Sequence, residues 1–177
     1  MRVLGIDPGL AICGYGVLEQ KNKSRSQPCE LIEVGVIKTP AEESLPKRLH
    51  TIYTEVKGLI REFNPDALAV EELFFNKNTK TAMAVSQARG VVLLAGAVSE
   101  TAATTKQTQK ELIIKSYTPL QIKQRITGYG RAKKPQIQAM MKRLLNLKEV
   151  PKPDDAADAL AVALCYILEQ RSKTVHK

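Results

Sequence analysis

The sequence predicts an α/β protein built on a mixed sheet, and three features carry that prediction. Residues 2–7, 12–19 and 30–38 read as three successive strands, an antiparallel meander. An amphipathic helix then leads into a short apolar strand. A strand–helix–strand passage is right-handed, which lays the new strand parallel to the first. A fifth strand and several helical stretches follow, and 177 residues are enough for one domain with its own core.

The first strand, Val3-Leu4-Gly5-Ile6, is apolar and ends on Asp7, with a Pro8-Gly9 turn behind it. Aspartate is depleted in strands and costly to bury alone. Asp7 therefore either satisfies backbone amides in the turn or sits beside a cation. The second run carries Gly14-Tyr15-Gly16, and the link from Gln20 to Pro28 is a polar, basic hairpin loop. The third strand, around Leu31 to Ile37, alternates in part and is rich in β-branched residues.

Ser44 is a candidate N-cap with Pro46 in the first turn. Leu45, Leu49, Ile52, Tyr53, Val56, Leu59, Ile60 and Phe63 then fall on one helical face, and Asn64-Pro65-Asp66 stops the helix. Ala67-Leu68-Ala69-Val70 repeats the opening pattern, a buried strand delivering the carboxylate Glu71 at its tip. Two parallel neighbours bring their C-terminal ends together, so Asp7 and Glu71 are expected to meet at one edge, where open α/β sheets form their sites.

Phe74 and Phe75 follow in a loop with Lys77 and Lys80. They pack into the core or offer bases a stacking surface. The helix that runs on to about Glu100 is apolar nearly all round and rich in small residues, which suits central burial or a homodimer face. Residues 101–110 are polar and of low complexity, a loop or a helix extension. A strand over 112–117 comes next, then Thr118-Pro119 opening a helix over 120–126. A glycine-hinged basic loop over 127–134 carries Arg131, Lys133 and Lys134. Pro135 opens a helix with Ile137, Met140, Met141, Leu144 and Leu145 inward, and Pro151-Lys152-Pro153 breaks the chain.

The last helix begins with Asp154 as its expected N-cap. Asp155 and Asp158 share one face of it. The helix dipole accounts for acids in a first turn, but an acidic face on a buried helix also calls for a cation. Residues 1–170 are read as a single domain and 171–177 as a frayed basic tail.

Composition narrows the chemistry. Residues 1–100 hold 12 basic and 12 acidic side chains, whereas residues 101–177 hold 15 and 6, so the whole net charge of +9 lies in the second part. A one-sided basic excess suits a polyanion such as nucleic acid. Two histidines, one of them near the end, make a histidine triad or zinc site improbable. Three cysteines without CxxC spacing argue for a reducing cytoplasm, and no stretch reads as a signal peptide or membrane span. Carboxylates without nitrogen or sulfur partners select hard cations, Mg²⁺ or Mn²⁺. Two such ions about 4 Å apart serve phosphodiester hydrolysis.

Five ordered blocks make the sequence resemble the RuvC family of Holliday junction resolvases over nearly its whole length. They are Gly5-Ile6-Asp7-Pro8-Gly9 with Gly14-Tyr15-Gly16; Ala69-Val70-Glu71-Glu72-Leu73-Phe74; Gln87-Ala88-Arg89-Gly90; Tyr117-Thr118-Pro119 through Gly128-Tyr129-Gly130; and Asp155-Ala156-Ala157-Asp158-Ala159-Leu160. The resemblance implies a ribonuclease H-like fold, a mixed five-stranded sheet in order 3-2-1-4-5 flanked by helices. It implies a homodimer that nicks two opposing strands of a four-way DNA junction, leaving 5′-phosphates and 3′-hydroxyls, with the branch-migration proteins RuvA and RuvB as partners.

The implied catalytic and metal-holding set is Asp7, Glu71, Asp155 and Asp158, with Mg²⁺ or Mn²⁺, two per site. The implied DNA contacts are Phe74 or Phe75, Lys77, Lys123 and Lys134. Arg131 and Lys133 join them as loop cations, and Lys133 stands where relatives often carry an acid. The 101–110 stretch looks longer than the family's usual link. An actin-like ATPase would need a second glycine-rich hairpin and a larger chain. A non-catalytic DNA-binding protein would leave the four acids unexplained.

Overall fold

The computed structural model describes residues 1–20, 28–72, 79–99 and 111–175. Five strands form one sheet: β1 (Arg2–Asp7), β2 (Ile12–Glu19), β3 (Glu30–Lys38), β4 (Ala67–Glu71) and β5 (Ile113–Tyr117). Their order is β3-β2-β1-β4-β5. The first three pair antiparallel, while β1–β4 and β4–β5 are parallel. The helices are α1 (Leu45–Phe63), α2 (Thr79–Ala97), α3 (Pro119–Thr127), α4 (Lys134–Leu144) and α5 (Asp154–Val175).

Strand alternation divides the core into two layers. Leu4, Ile6, Leu68 and Val70 point to one face and pack with Ile52, Val56 and Ile60 of α1 and Ala88, Val92 and Ala95 of α2. Val3, Ala67 and Ala69 point to the other face, against α5, with Ile122, Ile126 and Met141 behind that helix. The same alternation sends Asp7 and Glu71 toward α5. Lying between the sheet and α3–α4, α5 buries almost every side chain from Ala159 to Ile167. Truncating Leu160 there to alanine would cost about 2–5 kcal/mol.

Helix α5 crosses the sheet at backbone distance. A methyl group on Gly14 would overlap the Asp155 carbonyl, and one on Gly5 would overlap that of Ala159. These bare strand positions let the first turn of α5 settle directly beside the end of β1.

Several boundaries differ from the sequence reading for local reasons. Ser44 is the N-cap of α1, yet its side chain makes no capping bond; Pro46 alone pre-forms the turn. Thr118 does cap α3, exchanging bonds with Gln121. Asp154 lies inside the first turn of α5, where the Pro153 carbonyl accepts from Ala156 and Ala157. Helix α2 ends at Ala97 and β5 starts at Ile113. Helix α5 continues to Val175, past the expected end at residue 170. Its last turns are tied by Arg125 to the Ser172 hydroxyl at 3.1 Å and by Lys173 to Glu169 at 3.0 Å.

Cys13, Cys29 and Cys165 are free and buried, and burial pushes each thiol up to about 12. Among the described residues, no helix is long and apolar enough to cross a membrane.

Candidate active site

Parallel pairing aligns Ile6 with Val70, so the next residues, Asp7 and Glu71, end their strands side by side. Both are half-buried, and their carboxyls stand within interacting distance of each other. Burial is the main force raising the pKa of Asp7, followed by the charges of Asp158 and Asp155. Glu71 is raised first by burial, then by Asp7 and Asp158. Among the described residues, Lys134 is the cation that opposes both shifts, and it does not reverse them. The half-buried pair, flanked by further acids, favours a cation beside it.

The first turn of α5 supplies the second pair of acids. Lys134, at the start of α4, bridges to them: its ammonium lies 3.1 Å from Asp154 Oδ2 and 2.9 Å from Asp158 Oδ2. Those bonds outweigh burial and hold the Lys134 pKa above its usual range. Asp158 is thereby tied to the start of α4. Among the described residues, no three acidic, histidine or cysteine side chains stand close enough together to hold a metal ion. Like charges resist closer approach without a cation between them. The donor set is all carboxylate oxygen, which suits a hard divalent ion.

A cleft of about 220 Å³ opens beside these acids, lined by Glu71, Asp158, Lys123, Lys134, Pro119 and Ile137. Two acids and two lysines thus line one opening. Of the sequence-predicted residues, Asp7, Glu71, Asp155, Asp158, Lys123 and Lys134 gather at this end of the sheet. Arg131 and Lys133 are exposed on the loop before α4 and do not line the cleft. The Lys133 N–H donates to Gln136 Oε1 at 2.8 Å, which starts α4 and so aims Lys134. Phe74, Phe75, Lys77 and the 101–110 stretch lie outside the described residues.

Two residues at the site were not assigned a role from sequence. Asp154, read only as a cap, shares the Lys134 ammonium. Arg89 of α2 reaches the far side of the same strand ends: its Nε donates to the Glu71 carbonyl at 3.3 Å and its Nη2 to Ser116 Oγ at 2.7 Å. The sequence did carry a signal, since Arg89 is the lone charged residue between Lys80 and Glu100.

Comparison with known proteins agrees with this architecture. The family model described as "Crossover junction endodeoxyribonuclease RuvC" matches residues 3–166. The protein of that name from Caldicellulosiruptor saccharolyticus is 51% identical over 172 residues, covering 97% of this chain and 95% of the relative. The structure of Thermus thermophilus RuvC superposes with a TM-score of 0.85 at 34% identity, covering 98% of both chains. The structure of T. thermophilus RuvC in complex with a Holliday junction substrate superposes at 0.83 with 35% identity, over 98% of this chain and 97% of that one. A chain matched over nearly its whole length by the family model, by a relative at this identity and by these structures belongs to the RuvC family of crossover junction endodeoxyribonucleases.

Proposed function

We propose that this protein resolves four-way DNA junctions by divalent-metal-dependent nicking of two opposing strands, with Asp7, Glu71, Asp155 and Asp158 as its catalytic and metal-holding residues. The observation that carries the assignment is the placing of Asp7 and Glu71 on adjacent parallel strand ends beside further acids, with both carboxyl pKa values raised despite Lys134. Mg²⁺, or Mn²⁺ in its place, would be held by these carboxylates, and when bound it activates water and stabilises the leaving oxygen. Two ions per site suit a set of four acids.

The chain's own groups do the rest. Asp7 and Glu71 stand on rigid strand ends and give the site a fixed floor. Asp155 and Asp158 approach on α5 because Gly5 and Gly14 leave room for that helix. Lys123 and Lys134 line the cleft, where they attract a backbone phosphate and set its path over the acids. Arg131 and Lys133, exposed nearby, add affinity that falls with salt. Phe74 or Phe75, with Lys77, is proposed from sequence to stack on and flank bases at the junction centre.

Paired cuts call for two sites, and a homodimer supplies them. Helix α2 supports that reading with exposed Met83 and Leu94, at 67% and 53% exposure, with exposed Val98 just past its end and open space above Gly90. A Gly90→Glu variant should sediment as a monomer. Family membership suggests RuvA and RuvB as partners and work in the cytoplasm in recombination and repair. The overall test is incubation with a synthetic four-way junction and a matched linear duplex, with and without Mg²⁺. Symmetric nicks in the junction alone, with ligatable ends and only in the presence of metal, are expected.

A further inference from the structure

Glu71 is the last residue of β4, where a strand loses its neighbours and the main chain becomes free to move. Three things hold it. Its side chain meets that of Asp7 on the α5 face. One residue on, the Glu72 N–H donates to the Tyr117 carbonyl at 2.8 Å, which extends the ladder to β5. The third tie comes from the opposite face of the sheet. There the half-buried Arg89 of α2 spans both strand ends, with Nε on the Glu71 carbonyl at 3.3 Å and Nη2 on Ser116 Oγ at 2.7 Å. Alternation explains the reach. The Glu71 and Tyr117 side chains point toward α5, so Ser116 between its neighbours points toward α2.

We infer that Arg89 is a positioning residue for Glu71. It touches neither the carboxylate nor the cleft, and it acts by fixing the main chain from which that carboxylate projects. The tether matters because Glu71 ends its strand, so the direction in which its carboxylate projects depends on how its main chain is held. A guanidinium is suited to the task because its rigid fork can bond a carbonyl on one strand and a hydroxyl on the next; an ammonium at the same place meets only one of them well. Being on the far face, the Arg89 charge also leaves the cleft free for metal and phosphate. Groups that orient a metal-holding residue typically change metal affinity or activity by about 10–100-fold when removed. The inference rests on Glu71 being a metal-holding carboxylate.

The test measures three quantities on Arg89→Gln, Arg89→Lys, Ser116→Ala and the unaltered protein. They are the junction Kd in Ca²⁺, the single-turnover cleavage rate at saturating protein, and the Mg²⁺ concentration that gives half of the metal-induced rise in Tm. For Arg89→Gln the expected result is a cleavage rate down about tenfold or more and a half-saturating Mg²⁺ concentration up by a similar factor, with junction Kd within about twofold. Arg89→Lys should recover part of both losses, and Ser116→Ala, which keeps the Glu71 contact, should show a smaller shift in the same direction. A purely structural tie would lower Tm without moving the Mg²⁺ midpoint, and that result overturns the inference. Should Arg89→Gln fail to fold, Arg89→Lys is judged by the same criterion: an unmoved Mg²⁺ midpoint and rate overturn it. If the unaltered protein neither cuts nor gains stability from Mg²⁺, the metal reading of Glu71 falls, and the Arg89 role with it. If it does both while the Arg89 variants match it, the Arg89 role alone falls.

Discussion

Two groups of acid lie on the α5 face of the sheet, and they are treated in opposite ways. Glu169 is 7% exposed and is met by Lys115 at 2.5 Å, the Tyr117 hydroxyl at 2.5 Å and Lys173 at 3.0 Å. Burial alone would raise its pKa, but these partners hold it down to about 2. Asp7 and Glu71 are half-buried, yet they have each other, further acids and, among the described residues, Lys134 alone against them, and both are raised. Glu169 is a completed structural network that joins β5 to the end of α5. The Asp7–Glu71 end is incomplete, and its missing component is positive charge. Burial pushes all three carboxyls the same way; at Glu169 two lysines and a tyrosine overcome it, whereas at Asp7 and Glu71 neighbouring acids add to it and Lys134 does not offset them.

The sharpest way to break this contrast is to neutralise one acid at each place. Asp7→Asn is expected to reduce junction cleavage about a thousandfold, the equivalent of about 4 kcal/mol of transition-state stabilisation. Junction binding, followed by gel shift in Ca²⁺, should survive. Glu169→Gln is expected to do the reverse. It leaves Lys115 and Tyr117 short of an ionised partner and should cost about 1–3 kcal/mol of stability in urea melts, while each folded molecule cleaves at the unaltered rate. Equal effects of the two substitutions on cleavage would erase the distinction.

The two places should also respond to pH with opposite sign. Glu169 has a folded pKa of about 2, below its ordinary 4.5. Its contribution is therefore present above pH 4.5 and lost as pH falls toward 2. Asp7 and Glu71 have raised folded pKa values. The folded state keeps protons that the unfolded chain has released, so their contribution is fullest below about pH 4 and declines as pH rises. Saturating Mg²⁺ is expected to raise Tm more at pH 8 than at pH 5, because it replaces the proton the pair has lost. A Mg²⁺ shift that is larger at pH 5 would contradict the shortage of positive charge.

The smallest expected effect is at Lys134. Replacing it with glutamate should weaken junction binding and lower the salt slope by about one. An unchanged slope in a fluorescence titration would remove the phosphate contact and leave Lys134 as a partner of Asp154 and Asp158 alone.

Much of this was legible before any coordinates. The meander, the crossover and the strand tips bearing Asp7 and Glu71 followed from runs of apolar residues and the handedness of strand–helix–strand passages, and the sheet order agrees. Asp155 and Asp158 were legible as one helix face. What stayed hidden depends on distances across the fold. No spacing could show that Lys134 would turn to Asp154 and Asp158, because they lie 20 and 24 positions further along the chain and the fold of the intervening stretch decides it. The close seat of α5 on β1 and β2 rests on Gly5 and Gly14, which read in sequence only as breaks in an apolar run. The role of α5 beyond residue 170 was missed because Lys173 and Ser172 look like tail residues until Glu169 and Arg125 are seen beside them.

The most direct test of the central claim is a Mn²⁺ titration followed by electron paramagnetic resonance at pH 8, on the unaltered protein, Asp7→Asn and Asp158→Asn. The strand-borne and the helix-borne acid should each be needed, so both substitutions should raise the half-saturating Mn²⁺ concentration by about tenfold or more. Binding that is unchanged in either variant would mean that strand ends and α5 do not share an ion, and would contradict the account.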